Sequence, residues 1–96
     1  MITKADILKR RDEIIAAGKR HGASNFRLFG SVARGDAVED SDVDLIVHFE
    51  PERSLIDHGG LIDDLEELLG IKVDVISEGG MRDRFRHEVM KDAVAL

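Results

Sequence analysis

Apolar residues recur every three or four positions in some stretches of the chain, and alternate or cluster in others. Ile7, Leu8, Ile14 and Ile15 recur at helical spacing, Thr3 and Asp6 are placed as a capping pair ahead of them, and Gly18 and Gly22 offer stops. Asn25 to Phe29 alternates polar and apolar residues, which predicts a short strand. Glycine, serine and aspartate dominate Gly30 to Asp42, which reads as a loop with room for one helical turn. Val43 to Phe49 (VDLIVHF) is the strongest strand pattern, and Pro51 ends it. Ser54 and Asp57 are placed to cap a helix whose Leu61, Ile62, Leu65, Leu68 and Leu69 share one face, with Gly70 where a C-terminal cap belongs. Ile71 to Ile76 predicts a third strand and Gly79-Gly80 a turn. Met81 to Val94 predicts a final helix with Phe85, Val89 and Ala93 inward. The predicted order is α-β-(short α)-β-α-β-α. It implies an α/β or α+β class, a sheet covered by helices.

At 96 residues the chain is expected to form one small domain, residues 1–96. It has no cysteine, which excludes disulfides, thiolate metal sites and cysteine nucleophiles, and suits a reducing compartment. No apolar run approaches the about 20 residues needed to span a bilayer, and Met1 to Arg11 lacks the apolar core of a signal peptide. A cytoplasmic location without membrane association is expected. Lys and Arg number 14 and Asp and Glu 20, so the net charge is 14 − 20 = −6, and aromatic residues make up 4%. That balance lacks the basic surface and stacking residues of a general nucleic-acid binder, so no direct nucleic-acid binding is expected.

Three features carry candidate chemistry. Gly30-Ser31 follows the first strand, where a glycine lets backbone N–H groups approach a phosphate and the serine hydroxyl adds a donor; Arg34, one turn on, could contact phosphates as well. Asp42-Val43-Asp44 opens the second strand, and residues i and i+2 point to one face, so two carboxylates stand side by side. Asp74 interrupts Val73 and Val75 in a strand whose pattern reads as buried, where a lone carboxylate is costly unless paired or metal-bound. Should the third strand lie beside the second, Asp74 completes a three-carboxylate cluster of hard oxygen ligands suited to Mg²⁺ or Mn²⁺. Such clusters assemble two metals for in-line attack at phosphorus. Alone, Asp74 suits a structural pairing with Lys or Arg equally well; it is the conjunction that points to a nucleoside triphosphate and its metals.

Other readings fail or stay weak. A calcium loop from Asp40 would need glycine at Leu45 and glutamate at Pro51, and a P-loop from Gly30 would need Lys-Ser/Thr where Asp36-Ala37 stand. His21, His48, His58 and His87 show no metal spacing, and His48 is expected to be partly buried and structural. Arg82, Arg84 and Arg86 read as a solvated helix face.

The stretch Leu28 to Phe49, LFGSVARGDAVEDSDVDLIVHF, resembles the signature of the DNA polymerase β-like nucleotidyltransferases: Gly-Ser, ten residues, then Asp-x-Asp. The rest of the chain is similar to the minimal nucleotidyltransferases, which consist of this catalytic domain alone. The resemblance implies a small mixed sheet flanked by helices. It also implies that Asp42 and Asp44 bind both Mg²⁺ ions, that Asp74 binds the catalytic metal and helps deprotonate the attacking hydroxyl, and that Gly30 and Ser31 hold the triphosphate of ATP. Val32 stands where many relatives carry Arg, one cation fewer near the phosphates. Many members act as antitoxins that transfer AMP from ATP to a tyrosine of a HEPN-type toxin, which would make a hetero-oligomer with that toxin the working assembly. The alternative is an antitoxin or regulatory subunit that only occludes its partner.

Overall fold

The computed structural model describes residues 1–96. Helix α1 (Lys4–Lys9) and helix α2 (Arg11–Arg20) open the chain. Thr3 caps α1 as expected: its hydroxyl accepts from Asp6 N at 3.2 Å while Asp6 accepts from Thr3 N at 2.9 Å. The single helix suggested by the spacing breaks at Arg10, whose guanidinium donates to Leu68 O at 2.9 Å and pairs with Glu13 at 3.1 Å. Ile7 and Ile14 are buried, whereas Leu8 is 39% exposed. Strand β1 (Ala23–Phe29) starts earlier than its alternating pattern, with a register irregularity between Ser24 and Arg27 where Asn25 adopts φ 56°.

The loop after β1 contains helix α3 (Gly30–Arg34), the turn allowed for in the sequence. Strand β2 (Val43–Phe49) and helix α4 (Leu55–Leu69) follow. Ser54 and Asp57 form the α4 capping box, and Gly70 ends the helix in the left-handed conformation, φ 67°. Strand β3 (Val73–Ser77), a 3₁₀ turn (Glu78–Gly80), helix α5 (Asp83–Met90) and strand β4 (Val94–Ala95) complete the chain. The final helix is therefore shorter than expected: it stops at Met90, and Val94–Ala95 pairs with Leu28 and Arg27 of β1. Phe85 does not face inward; it is 46% exposed.

The sheet order is β3-β2-β1-β4. β1 runs antiparallel to both β2 and β4, while β2 and β3 are parallel and joined across α4, so the sheet is mixed. Val43, Leu45 and Val47 point to one face, where with Leu28, Val73 and Val75 they meet Ile7 and Ile14 of the first two helices and Leu61 and Leu65 of α4. Ile62, Leu68 and Leu69 are only partly buried at the margin of this core. Asp44 and Ile46 lie on the opposite face. There Glu78 ties the 3₁₀ turn to its neighbours, accepting from Arg86 at 2.6 Å and pairing with Arg27 at 3.7 Å. No helix is long and apolar enough to cross a membrane.

Candidate active site

The second face of the sheet carries acid where the first carries aliphatic side chains. Parallel register sets Asp44 opposite Asp74, and antiparallel register sets Asp44 opposite Phe29, the residue before Gly30. Asp44 therefore sits between the third carboxylate and the start of α3. Adjacent strands lie about 4.8 Å apart, so Asp44 and Asp74 are side-by-side neighbours on one face. Asp42 lies just before β2, two residues from Asp44 and close enough to raise its pKa. The parallel register thus brings Asp74 beside Asp44, while Asp42 lies outside the paired residues.

Asp74 is not buried, contrary to the pattern of its strand. β3 is the outer strand of the sheet and only its core-facing side is covered, so Val73 and Val75 are buried while Asp74 is exposed. Its place among apolar residues reflects strand alternation rather than a buried charge needing a partner. The carboxylate removed from water is Asp44, which is half-buried; Asp42 is exposed. Burial pushes the Asp44 pKa up, Asp74 and then Asp42 push it further, and Arg34 draws it partly back. Asp74 and Asp42 therefore lie close enough to act on Asp44.

Hard oxygen donors under mutual repulsion are the donor set that a divalent cation satisfies. No three acidic or imidazole side chains stand gathered to ligate one ion. By their chemistry these oxygen donors suit Mg²⁺.

Gly30 begins α3 at φ 75°, a backbone few side chains tolerate, and a Cβ built there would overlap Asp44 Oδ2. Phe29 precedes α3 in extended conformation and no side chain caps the helix. Ser31 is half-buried at this mouth. Arg34 is exposed; its Nε lies 3.2 Å from Asp36 Oδ2 and its Nη1 4.0 Å from Asp92 Oδ2, so two carboxylates hold it at the rim. Val32 is buried against the core and does not line the mouth. His48, expected to be partly buried, is exposed further along β2. A cavity of about 310 Å³ opens beside Gly30 and Arg34 and is lined as well by Phe85 and Val89 of α5. Nothing in the sequence pattern assigned α5 to the site; the only trace was an aromatic residue within a strongly charged helix.

A mixed sheet that sets neighbouring carboxylates against a glycine-led helix defines an enzyme of nucleotidyl transfer. Residues 7–96 match the nucleotidyltransferase domain family, and the chain belongs to it. The chain is 36% identical over 92 residues to protein adenylyltransferase MntA of Thermococcus cleftensis, covering 91% of this chain and 93% of that one. A solved minimal nucleotidyltransferase superposes with a TM-score of 0.87 at 46% identity, covering 99% of this chain and 97% of the other. A toxin–antitoxin crystal structure with AMP-PNP shares the fold at a TM-score of 0.75 and 21% identity, covering 88% of this chain and 69% of that chain.

Proposed function

We propose that this nucleotidyltransferase moves AMP from ATP to a tyrosine hydroxyl of a HEPN-type toxin and so acts as that toxin's antitoxin. The observation that carries the reading is the Asp44 position: register-paired with Asp74 on one side and abutting Gly30 on the other. The acceptor is argued from likeness. The Thermococcus relative is named a protein adenylyltransferase, and a complex of similar fold holds a tri-AMPylated HEPN toxin from Shewanella oneidensis with its antitoxin.

In this reading Gly30 and Ser31 hold the β- and γ-phosphates, with Arg34 exchanging a carboxylate partner for phosphate. Asp42, Asp44 and Asp74 hold two Mg²⁺ ions, which when bound neutralise charge on the α-phosphate and on the leaving pyrophosphate. Asp74, which is exposed on the outer strand, meets the incoming hydroxyl and takes its proton. The hydroxyl oxygen bonds to the α-phosphorus as the bond to the β-phosphate oxygen breaks, and pyrophosphate leaves. The acceptor comes from outside, on a partner whose basic RNA-binding face complements this chain's net charge of −6.

The test incubates the chain with ATP, Mg²⁺ and the HEPN protein encoded beside it, followed by intact mass measurement. The partner should gain one or more AMP units. A partner of unchanged mass contradicts the proposal.

A further inference from the structure

Phe85 is the one aromatic residue of the chain that the fold leaves in the open. Phe26 and Phe29 are buried, Phe49 packs against His58 with ring centroids 5.2 Å apart, and Phe85 is 46% exposed. Its helix has no buried residue, so burial in the core does not account for an aromatic side chain there. α5 is nonetheless held over the site. At its middle Arg86 is bonded to Glu78 at 2.6 Å, and beyond its C-terminal end the chain continues into β4, which pairs with Arg27 and Leu28 immediately before Phe29.

This placement makes Phe85 part of the lining of the 310 Å³ cavity, together with Gly30 and Arg34. The volume lies at the bottom of the range of about 300–1,000 Å³ for ligand clefts, suited to one planar ring system and not to a whole nucleoside triphosphate. Phe29, Phe85 and Val89 supply apolar surface, while Glu88 and Asp92 place carboxylates on the lining. Asp92 lies 4.0 Å from Arg34 and Glu88 3.3 Å from Lys91, and their remaining carboxylate lone pairs offer hydrogen-bond acceptors to an amine. Gly30 belongs to both places, touching Asp44 on one side and the cavity on the other. A nucleotide whose phosphates lie on the Gly30 loop thus has this cavity within a ribose's reach.

We propose that the cavity between α3 and α5 is the base subsite of the enzyme, and that Phe85 is the platform on which the purine of the nucleoside triphosphate stacks. Phe85 then determines affinity for the nucleoside part and leaves the grip on the phosphates untouched. The inference rests on the reading of the chain as an ATP-using transferase.

The test measures binding of ATP and of inorganic tripolyphosphate, each with Mg²⁺, to the full chain without any acceptor protein, for the parent, Phe85→Ala and Phe85→Trp. Phe85→Ala should weaken ATP by about 5- to 150-fold, the range of base–aromatic stacking, and leave tripolyphosphate unchanged. Phe85→Trp should restore ATP binding, which a merely structural role for the ring would not predict. Circular dichroism and melting temperature establish that the variants are folded; the exposure of Phe85 predicts that they are. ATP affinity unaffected by Phe85→Ala, or both ligands weakened alike, overturns the base subsite while leaving AMP transfer standing. Loss of acceptor association with ATP binding intact also overturns it, and assigns the ring to the protein partner. A parent chain that binds neither ligand overturns both this inference and the reading beneath it.

Discussion

Gly30 answers two demands at once, and its neighbour Gly35 answers only one. Both sit at positive φ, 75° and 83°, but a Cβ at Gly30 meets Asp44 Oδ2 whereas a Cβ at Gly35 meets nothing within 4 Å. Backbone strain alone should cost either alanine variant about 1–2 kcal/mol, read by denaturant unfolding. Only Gly30→Ala should also displace Asp44, and misplacement of a reacting group costs on the order of 10²-fold in transfer rate. Equal rates in the two variants would remove Asp44 from the account of Gly30. Asp44 itself carries a pH signature. Its pKa is raised in the folded chain, so the native state holds the Asp44 proton more tightly than the unfolded state does. Stability is therefore lost as pH rises from the ordinary aspartate pKa, about 3.9, through the raised folded value. In metal-free protein, Asp44→Asn should melt higher than the parent at neutral pH, and the gap should close as pH falls below that ordinary value. A variant that melts lower at neutral pH contradicts the repulsion described for the site.

At the scale of elements, α4 shows what a sequence makes legible and α5 shows what it hides. Cap, apolar period and terminal glycine all name the same helix in α4, and the fold agrees with each. Leu61 and Leu65 are completely buried, while Ile56 in the first turn is 86% exposed. Leu61→Ala should cost about 2–5 kcal/mol in unfolding free energy, and Ile56→Ala less than about 0.5. Ser54→Ala, which removes the acceptor for Ile56 N, should cost about 1 kcal/mol. In α5 the four-residue spacing of Phe85, Val89 and Ala93 suggested a buried face. That spacing ends where Val94 and Ala95 join β1, a pairing between residues more than sixty positions apart that no local pattern announces. The break at Arg10 has a similar origin, since its guanidinium reaches Leu68 at the far end of α4.

Over the whole molecule, the site follows from topology more than from any one segment. Gly30-Ser31 and Asp42-x-Asp44 are adjacent in sequence and were readable as a unit. Asp74 joined them only on the condition that β3 lies beside β2, and the parallel pairing through α4 meets that condition. The apolar neighbours of Asp74 do not bury it: an outer strand with one covered face leaves it in solvent. The contribution of α5 stayed invisible because it depends on the path of the chain after the last carboxylate. The resulting site lies on the face of the sheet opposite the main core, beside α5. The central claim is that protection comes from transfer chemistry and not from covering the toxin. Asp42→Asn with Asp44→Asn keeps side-chain shape and removes the charge that metals and phosphates need, a loss of at least about 10²–10³ in rate. The decisive measurement co-expresses this double variant with the partner toxin and follows cell growth together with the partner's intact mass. The account predicts a folded variant, an unmodified partner and arrested growth; full protection with the partner unmodified would show that the chain neutralises its toxin by occlusion.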